Sequence, residues 1–382
     1  MYAFVPPVMA ASSIYEVGGK SYAVDSREFA DVVAEAQVSH RRLRCMCRAG
    51  GVEMYVARLA QAQGGYIVKR MPDTGWRHAV DCPSYAPPST SSGLGQLLGS
   101  AILEDPVAGT TTLKLGFPLS RMPGRAVIAG AAAGGVSVRS DGVTLSLRGL
   151  LHYLWDQAEL TRWHPGCVGK RSWGTVRSQL IRAASQLVAR REPLRTRLYV
   201  PEPFSLEQRE AINSRRLAAW SCAVAEPAGS VAFMLLVAEV KEIVPARYGF
   251  KAVVKHVPDQ AFMMDESLYR RLGRSFEAEL ALWATGEDVH MVMIATFGVN
   301  AGVPTIQELC LMPVTRQWLP VDDGFGKQLV DKLVAEGRTF TRSLPYELPA
   351  KVALTFAVLS DCGELPTTLS ILRADQALPD EG

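Results

Sequence analysis

The sequence predicts an α+β, multi-domain protein: a small N-terminal zinc-binding unit, a central helical region and a C-terminal mixed α/β unit. Three observations predict it. A C-x-C … H-x-x-x-C array, Cys45, Cys47, His78 and Cys82, sits within the first ninety residues. Helical apolar periodicity is concentrated between Arg148 and Arg191. Strand-like runs then alternate with amphipathic stretches to the end of a 382-residue chain, which is long for a single core. The expected units are 1–88, 100–223 and 229–382.

Taken in order, Ile14 to Val24 reads as a hairpin turned at Gly18-Gly19, and Ser26 as the cap of a helix to about Ser39. Val52 to Leu59 and the run from Gly65 read as strands, and Pro72 to Gly75 as a turn. Pro83 to Ser100, rich in Pro, Ser and Gly, has linker composition. Thr110 to Leu119 and Val136 to Leu147 read as strands, the latter turned at Asp141-Gly142. Leu150, Leu151, Leu154 and Ala158 share a helical face. A second helix, Trp173 to about Arg191 with Ser172 as cap, carries a polar side of Thr175, Ser178, Gln179, Arg182, Ser185 and Gln186. Helix, loop, helix and then a strand, Leu194 to Val200, is an order compatible with a winged helix-turn-helix, but reads better as a helical hairpin whose polar side is solvated. Arg177 points into the apolar stripe as a snorkelling stem.

A charged helix from Leu206 to Ala219 leads into strands Val231–Val244 and Tyr248–Val257, joined around Pro245. A helix from Asp265 or Ser267 to Ala284, strands Val289–Phe297 and Ile306–Thr315, and a helix Asp323–Gly337 follow. Lys351–Leu359 and Thr367–Leu372 complete the mixed unit.

Three thiols and an imidazole are a ligand set suited to tetrahedral zinc, and four protein ligands make such a site structural. The thirty residues between Cys47 and His78 are enough for a hairpin that returns the second pair to the first. Seven cysteines, an odd count scattered over a long chain, argue against a disulfide framework and fit a reducing cytoplasm. No charge-free apolar run is long enough to span a bilayer, so no membrane partner is expected.

The net charge of +3 conceals an asymmetry. Arg41 to Arg77 holds eight Lys/Arg against two acids, and Arg162 to Arg197 nine against one, leaving the remainder acidic. Two basic blocks on an acidic chain are a footprint for a polyanion. The candidate nucleic-acid contacts are Arg41, Arg42, Arg44, Arg48, Lys69, Arg70 and Arg77, with Tyr55, Tyr66 and Trp76 among them, and Lys170, Arg171, Arg182, Arg190 and Arg191.

No P-loop, G-x-S-x-G or H-E-x-x-H is present. His152 and His164 near Cys167 read better as packed residues than as a catalytic pair. Glu239-Val240-Lys241 has the E-x-K form of metal-dependent nucleases, with Glu226 upstream, and is the enzyme alternative. A protein-interaction scaffold of a transfer or defence assembly is the third class.

Cys45-Met-Cys, the run Lys69 to Tyr85, Leu147 to Trp155, Trp163-His-Pro, Gly169-Lys-Arg-Ser-Trp, Leu311-Met-Pro-Val-Thr and Gly337-Arg-Thr-Phe carry a resemblance over nearly the whole chain. Together they are similar to the domain-of-unknown-function family 1173, bacterial proteins associated with integrative and conjugative elements. The resemblance implies a place in a mobile element but no activity. It also implies a C-terminal region like a PD-(D/E)xK strand pair, of which this chain keeps Asp361 but has Ser370-Ile371-Leu372 in place of E-x-K. That unit is expected to be degenerate or truncated, unable to cleave DNA.

Overall fold

Gly18 and Gly19, both in the left-handed region, close the first hairpin between β1 (Ile14–Val17) and β2 (Lys20–Ala23). The computed structural model describes residues 13–59, 65–121, 143–224, 231–346 and 355–371. Helix α1 (Phe29–Val38) follows; Ser26 contributes its carbonyl to the Phe29 amide, while its hydroxyl makes no cap bond. Strands β3 (Leu43–Cys45), β4 (Val52–Arg58) and β5 (Tyr66–Arg70) complete a sheet of order β2-β1-β3-β4-β5. Phe29, Val33 and Ala36 of α1 close its core against Tyr15, Leu43 and Met54.

The expected linker is folded. Short 3-10 turns carry residues 89–96, and the Gly93 amide donates to the Leu344 carbonyl. A Cβ on Gly93 would stand 2.1 Å from the Pro345 carbonyl oxygen, so its glycine serves a close backbone approach rather than a loose joint.

Next come β6 (Ile102–Asp105), β7 (Thr110–Leu113), β8 (Ser120–Arg121) and α2 (Leu147–Gln157), whose cap Ser146 accepts from the Gly149 amide at 3.1 Å. The expected turn at Asp141-Gly142 lies outside the described residues. Strand β9 (Arg162–Trp163) precedes α3 (Trp173–Ala184), capped by Ser172 as anticipated. Helix α3 is shorter than the apolar period suggests. Leu187 and Val188 belong instead to β10 (Leu187–Ala189), parallel to β7 and turned through left-handed Arg190 and Arg191 into β11 (Glu192–Pro193). The polar side of α3 is also not a free reading face: Gln179, Ser185 and Gln186 are buried, and among its six residues Ser178 alone is fully exposed. Arg177 does snorkel, its Nε donating to the Val200 carbonyl at 3.1 Å.

Strand β12 (Leu198–Tyr199), α4 (Arg209–Trp220) and β13 (Val231–Ala232) lead to a barrel. Its strands are β14 (Met234–Pro245), β15 (Phe250–Val254), β16 (Phe262–Met264), β17 (Val289–Asn300) and β18 (Val303–Thr315). Between β16 and β17 the expected single helix is two, α5 (Glu266–Ser275) and α6 (Glu277–Trp283), broken where Phe276 leaves helical geometry. Pairing runs β14-β15-β16-β18-β17 and closes through β17 back to β14; only β16–β18 is parallel, at Met263↔Thr305. Long β14 serves both neighbours, its first half facing β17 and its second β15, with a register shift at Val240/Glu242. This closed order, with a helix between the third and fourth strands, is the connectivity of the oligonucleotide- and oligosaccharide-binding barrel.

Helix α7 (Gly324–Ala335), capped by Asp323, covers a last sheet of β19 (Phe340–Arg342), β20 (Thr355–Leu359) and β21 (Thr367–Ser370). The fourth strand of that sheet is β9, Trp163 pairing with Phe340. Leu150, Trp155 and Leu180 share one core with Met234, Ile294 and Leu311, so described residues on both sides of the expected 223/229 division pack continuously.

Candidate metal centre

Strand β3 delivers Cys45 at its last residue, and the turn into β4 presents Cys47. A 3-10 turn, Gly75–Arg77, sets His78, and the Cys82 amide closes back on the Ala79 carbonyl. The hairpin between the two ligand pairs, β4 with β5, thus returns the second pair to the first. The four ligand atoms all lie within 4.8 Å of one another. Cys45 Sγ is 3.7 Å from Cys82 Sγ, which is 3.7 Å from His78 Nδ1; that nitrogen is 3.4 Å from Cys47 Sγ. With Zn–S near 2.3 Å and Zn–N near 2.0–2.1 Å, the edges of a tetrahedron are about 3.8 Å for S···S and about 3.5 Å for S···N. The donor set and its spacing therefore fit zinc, with Nδ1 as the imidazole ligand.

The shell around these atoms favours thiolate at Cys82 and works against it at Cys45 and Cys47. The Ala79 amide donates to Cys47 Sγ at 3.4 Å and the Ser84 amide to Cys82 Sγ at 3.3 Å. Hydrogen bonds from Cys45, and then from His78 and Ser84, pull the Cys82 thiol down to about 4, while burial pushes Cys47 up. Thiolate is the form that binds metal. His78 is fully buried, and among the described residues no partner reaches its Nε2.

The family model for proteins of unknown function DUF1173 matches residues 15–381. The chain belongs to this family. No curated protein and no solved structure matches it. In this DUF1173 protein the Cys3His cluster can hold one metal ion, which four protein ligands would make structural.

The predicted basic contacts divide by what holds them. Arg42 donates to the Pro106 carbonyl, Arg44 to that of Gly50, and Arg70 to that of Ser84. Lys69 reaches the Gln157 amide oxygen, Arg171 the carbonyls of Leu160 and Gln317, and Arg190 that of Phe117. Arg182 is half-buried at the foot of α3. Arg41 stands 3.9 Å from Glu35 in solvent, and Arg48, Lys170 and Arg191 are exposed. The Arg77 guanidinium lies 5.2 Å from the centre of the Trp76 ring, which is 45 % exposed. Of the interleaved aromatics, Tyr55 is buried and Tyr66 half-buried.

The enzyme alternative does not assemble among the described residues. Glu239 is buried and bonded to Lys255 and His290, with Lys241 exposed; Glu226 lies outside the described residues. Asp361 is pinned by Arg338 at 2.9 and 3.0 Å and by the Thr339 amide at 2.7 Å. His152 accepts from the Tyr346 amide inside the core, a packing role as anticipated, and His164 accepts from the Gly166 amide. Sequence reasoning missed the barrel and the Glu239 cluster, because partners on strands this far apart leave no local spacing to read.

Proposed function

We propose that this protein is a zinc-stabilised nucleic-acid-binding accessory or regulatory factor of a bacterial mobile element, acting without catalysis. The observation that carries the reading is the exposed Trp76 ring under Arg77, immediately before the ligand His78. A metal clamp at His78 would hold the ring rigid, so that stacking on a base costs little ordering. Arg48, exposed on the turn that carries Cys45 and Cys47, would add phosphate contact to the same rim.

The barrel supports the reading from a second direction. In barrels of this connectivity the face of the second and third strands and its flanking loops take single strands. Here the β14–β15 turn carries Tyr248, 76 % exposed, with Arg247 5.3 Å from its ring centre. That is fold-level analogy joined to a local chemistry suited to it.

Binding of this kind releases counterions, so affinity falls steeply with salt. The test is titration of zinc-loaded protein with single- and double-stranded DNA and RNA across a salt series, beside Trp76→Ala. Weakening by about tenfold in the variant is expected from the loss of one stacking platform. Binding that is absent at low salt, or flat with salt, rejects the reading.

A further inference from the structure

The peptide group between Pro83 and Ser84 faces two ways. Its N–H donates to Cys82 Sγ at 3.3 Å, and its carbonyl accepts from Arg162 Nη1 at 2.6 Å. One planar, conjugated unit thus stands between a metal ligand and a guanidinium 79 residues further along the chain than Pro83. A cation on the carbonyl oxygen draws electron density toward it and makes the N–H at the other end a stronger donor. Arg162 can therefore act on the Cys82 sulfur without touching it.

The side chain of Arg162 is 14 % exposed, so water screens this contact little. Glu159 stands 3.9 Å from the guanidinium, a looser contact than the carbonyl, and Asp156 of α2 also acts on it. These acids hold the group in place and offset part of its charge. Behind it the backbone is fixed: Arg171 donates to the Arg162 carbonyl, and Arg162 pairs with Thr341 of β19. From the other side Arg70 of β5 donates to the Ser84 carbonyl at 3.3 Å, so the loop after Cys82 is gripped from two sheets. The residue placed to tune the metal centre of the N-terminal sheet thus belongs to a different sheet.

We propose that Arg162 is a positioning residue of the metal centre, acting on Cys82 through the Pro83–Ser84 peptide, and that metal binding is thereby coupled to the seating of the N-terminal sheet on β9. Whatever loosens that seating weakens the metal, and loss of the metal loosens the seating, because a coupling between two equilibria is reciprocal. Groups one step out from the ligands change metal affinity by about 10–100-fold. The coupling rests on the Cys3His cluster holding zinc and is independent of nucleic-acid binding.

The experiment uses the full chain purified without chelator, with zinc content measured first. Zinc affinity is then read by competition with a chelator of known strength, for wild type, Arg162→Gln, Arg162→Lys and Arg209→Gln, with circular dichroism as folding control. Arg162→Gln should weaken zinc by about tenfold, and Arg162→Lys, which keeps a cationic donor, should recover most of that loss. Arg209→Gln removes an exposed arginine of α4 and should match wild type. With cobalt in place of zinc, the thiolate-to-metal charge-transfer band should move to lower energy in Arg162→Gln, because a less firmly hydrogen-bonded sulfur gives up charge more readily. A residue that only props up the fold would leave the band where it is. In the wild type, chelation should speed hydrogen exchange in peptides covering β9, loosening that strand without opening it; this decides the matter should Arg162→Gln fail to fold. Zinc held as tightly by folded Arg162→Gln as by wild type, an unmoved cobalt band, or exchange at β9 that ignores the metal overturns the proposal. A wild-type chain with no zinc fails the metal assignment itself and takes the proposal with it.

Discussion

His290 Nδ1 stands 2.6 Å from Glu239 Oε1, joining neighbouring barrel strands β17 and β14 through a buried carboxylate. Lys255 Nζ meets the same oxygen at 2.6 Å, and the His290 ring stacks on Trp318 with centres 4.4 Å apart. Burial pushes the Glu239 carboxyl up, but the bonds to His290 and Lys255 outweigh it and hold it below its ordinary value. A carboxylate held low stabilises the fold above its unfolded pKa, and that share is lost as pH falls through the folded value. Glu239→Gln should therefore cost about 2 kcal/mol at pH 7, with the gap to wild type closing in acid below the ordinary glutamate range. Urea melts of both proteins at pH 7 and at pH 3 check this; a constant gap would remove the carboxylate from the account.

Glu308 runs the other way. It is buried on β18, and burial, against the pull of Arg271, lifts its carboxyl to about 7. The folded state then holds a proton that the unfolded state has released, so stability falls as pH rises toward 7 and stays reduced above it. Glu308→Gln should stabilise the protein by about 2 kcal/mol at pH 8 and lose that advantage near pH 5. Thermal melts at the two pH values read the difference directly.

Metal removal should dismantle the N-terminal sheet selectively. Zinc analysis is expected to give about one ion per chain, and Cys82→Ser or chelation should open α1 and β1–β5 to hydrogen exchange. Protein purified without chelator and found free of zinc would contradict the assignment.

Gly93→Ala should destabilise by about 2 kcal/mol, because the added carbon meets the Pro345 carbonyl, which is held by backbone on both sides. A neutral effect in chemical denaturation would mean that the 89–96 segment can lift from the 344–346 segment at no cost.

Plasmid DNA incubated with magnesium or manganese should stay intact. Asp361 is committed to Arg338 and the Thr339 amide, and Glu239 to His290 and Lys255, so neither carboxylate is free for metal. Nicking that disappears in Asp361→Ala would reverse this conclusion.

The metal ligands were legible because their chemistry is local: Cys45-x-Cys47 and His78-x-x-x-Cys82 each fit within one turn, and the intervening β4–β5 hairpin followed from its own alternation. Caps were legible for the same reason at Ser172 and at Asp265, whose side chain accepts from the Leu268 amide at 2.6 Å. Less legible was what a side chain reaches away from where it stands. Arg42, Arg70 and Arg171, read as part of a polyanion surface, also hold backbone carbonyls with their long side chains. Leu187 and Val188 extended a helical stripe on paper; pairing with β7 drew them into a sheet. The barrel stayed hidden because its one parallel contact, Met263 with Thr305, spans two helices and a strand.

Trp163 lends its strand to a sheet whose other members come much later in the chain, beginning with Phe340. A nascent chain halted before that point holds the edge of β9 without the strand it pairs with. Assembly of this region must wait for a late, non-local pairing, the kind that slows folding and lengthens exposure to wrong partners. The last sheet is therefore where a chaperone, or a stalled ribosome, would meet this protein at its most vulnerable.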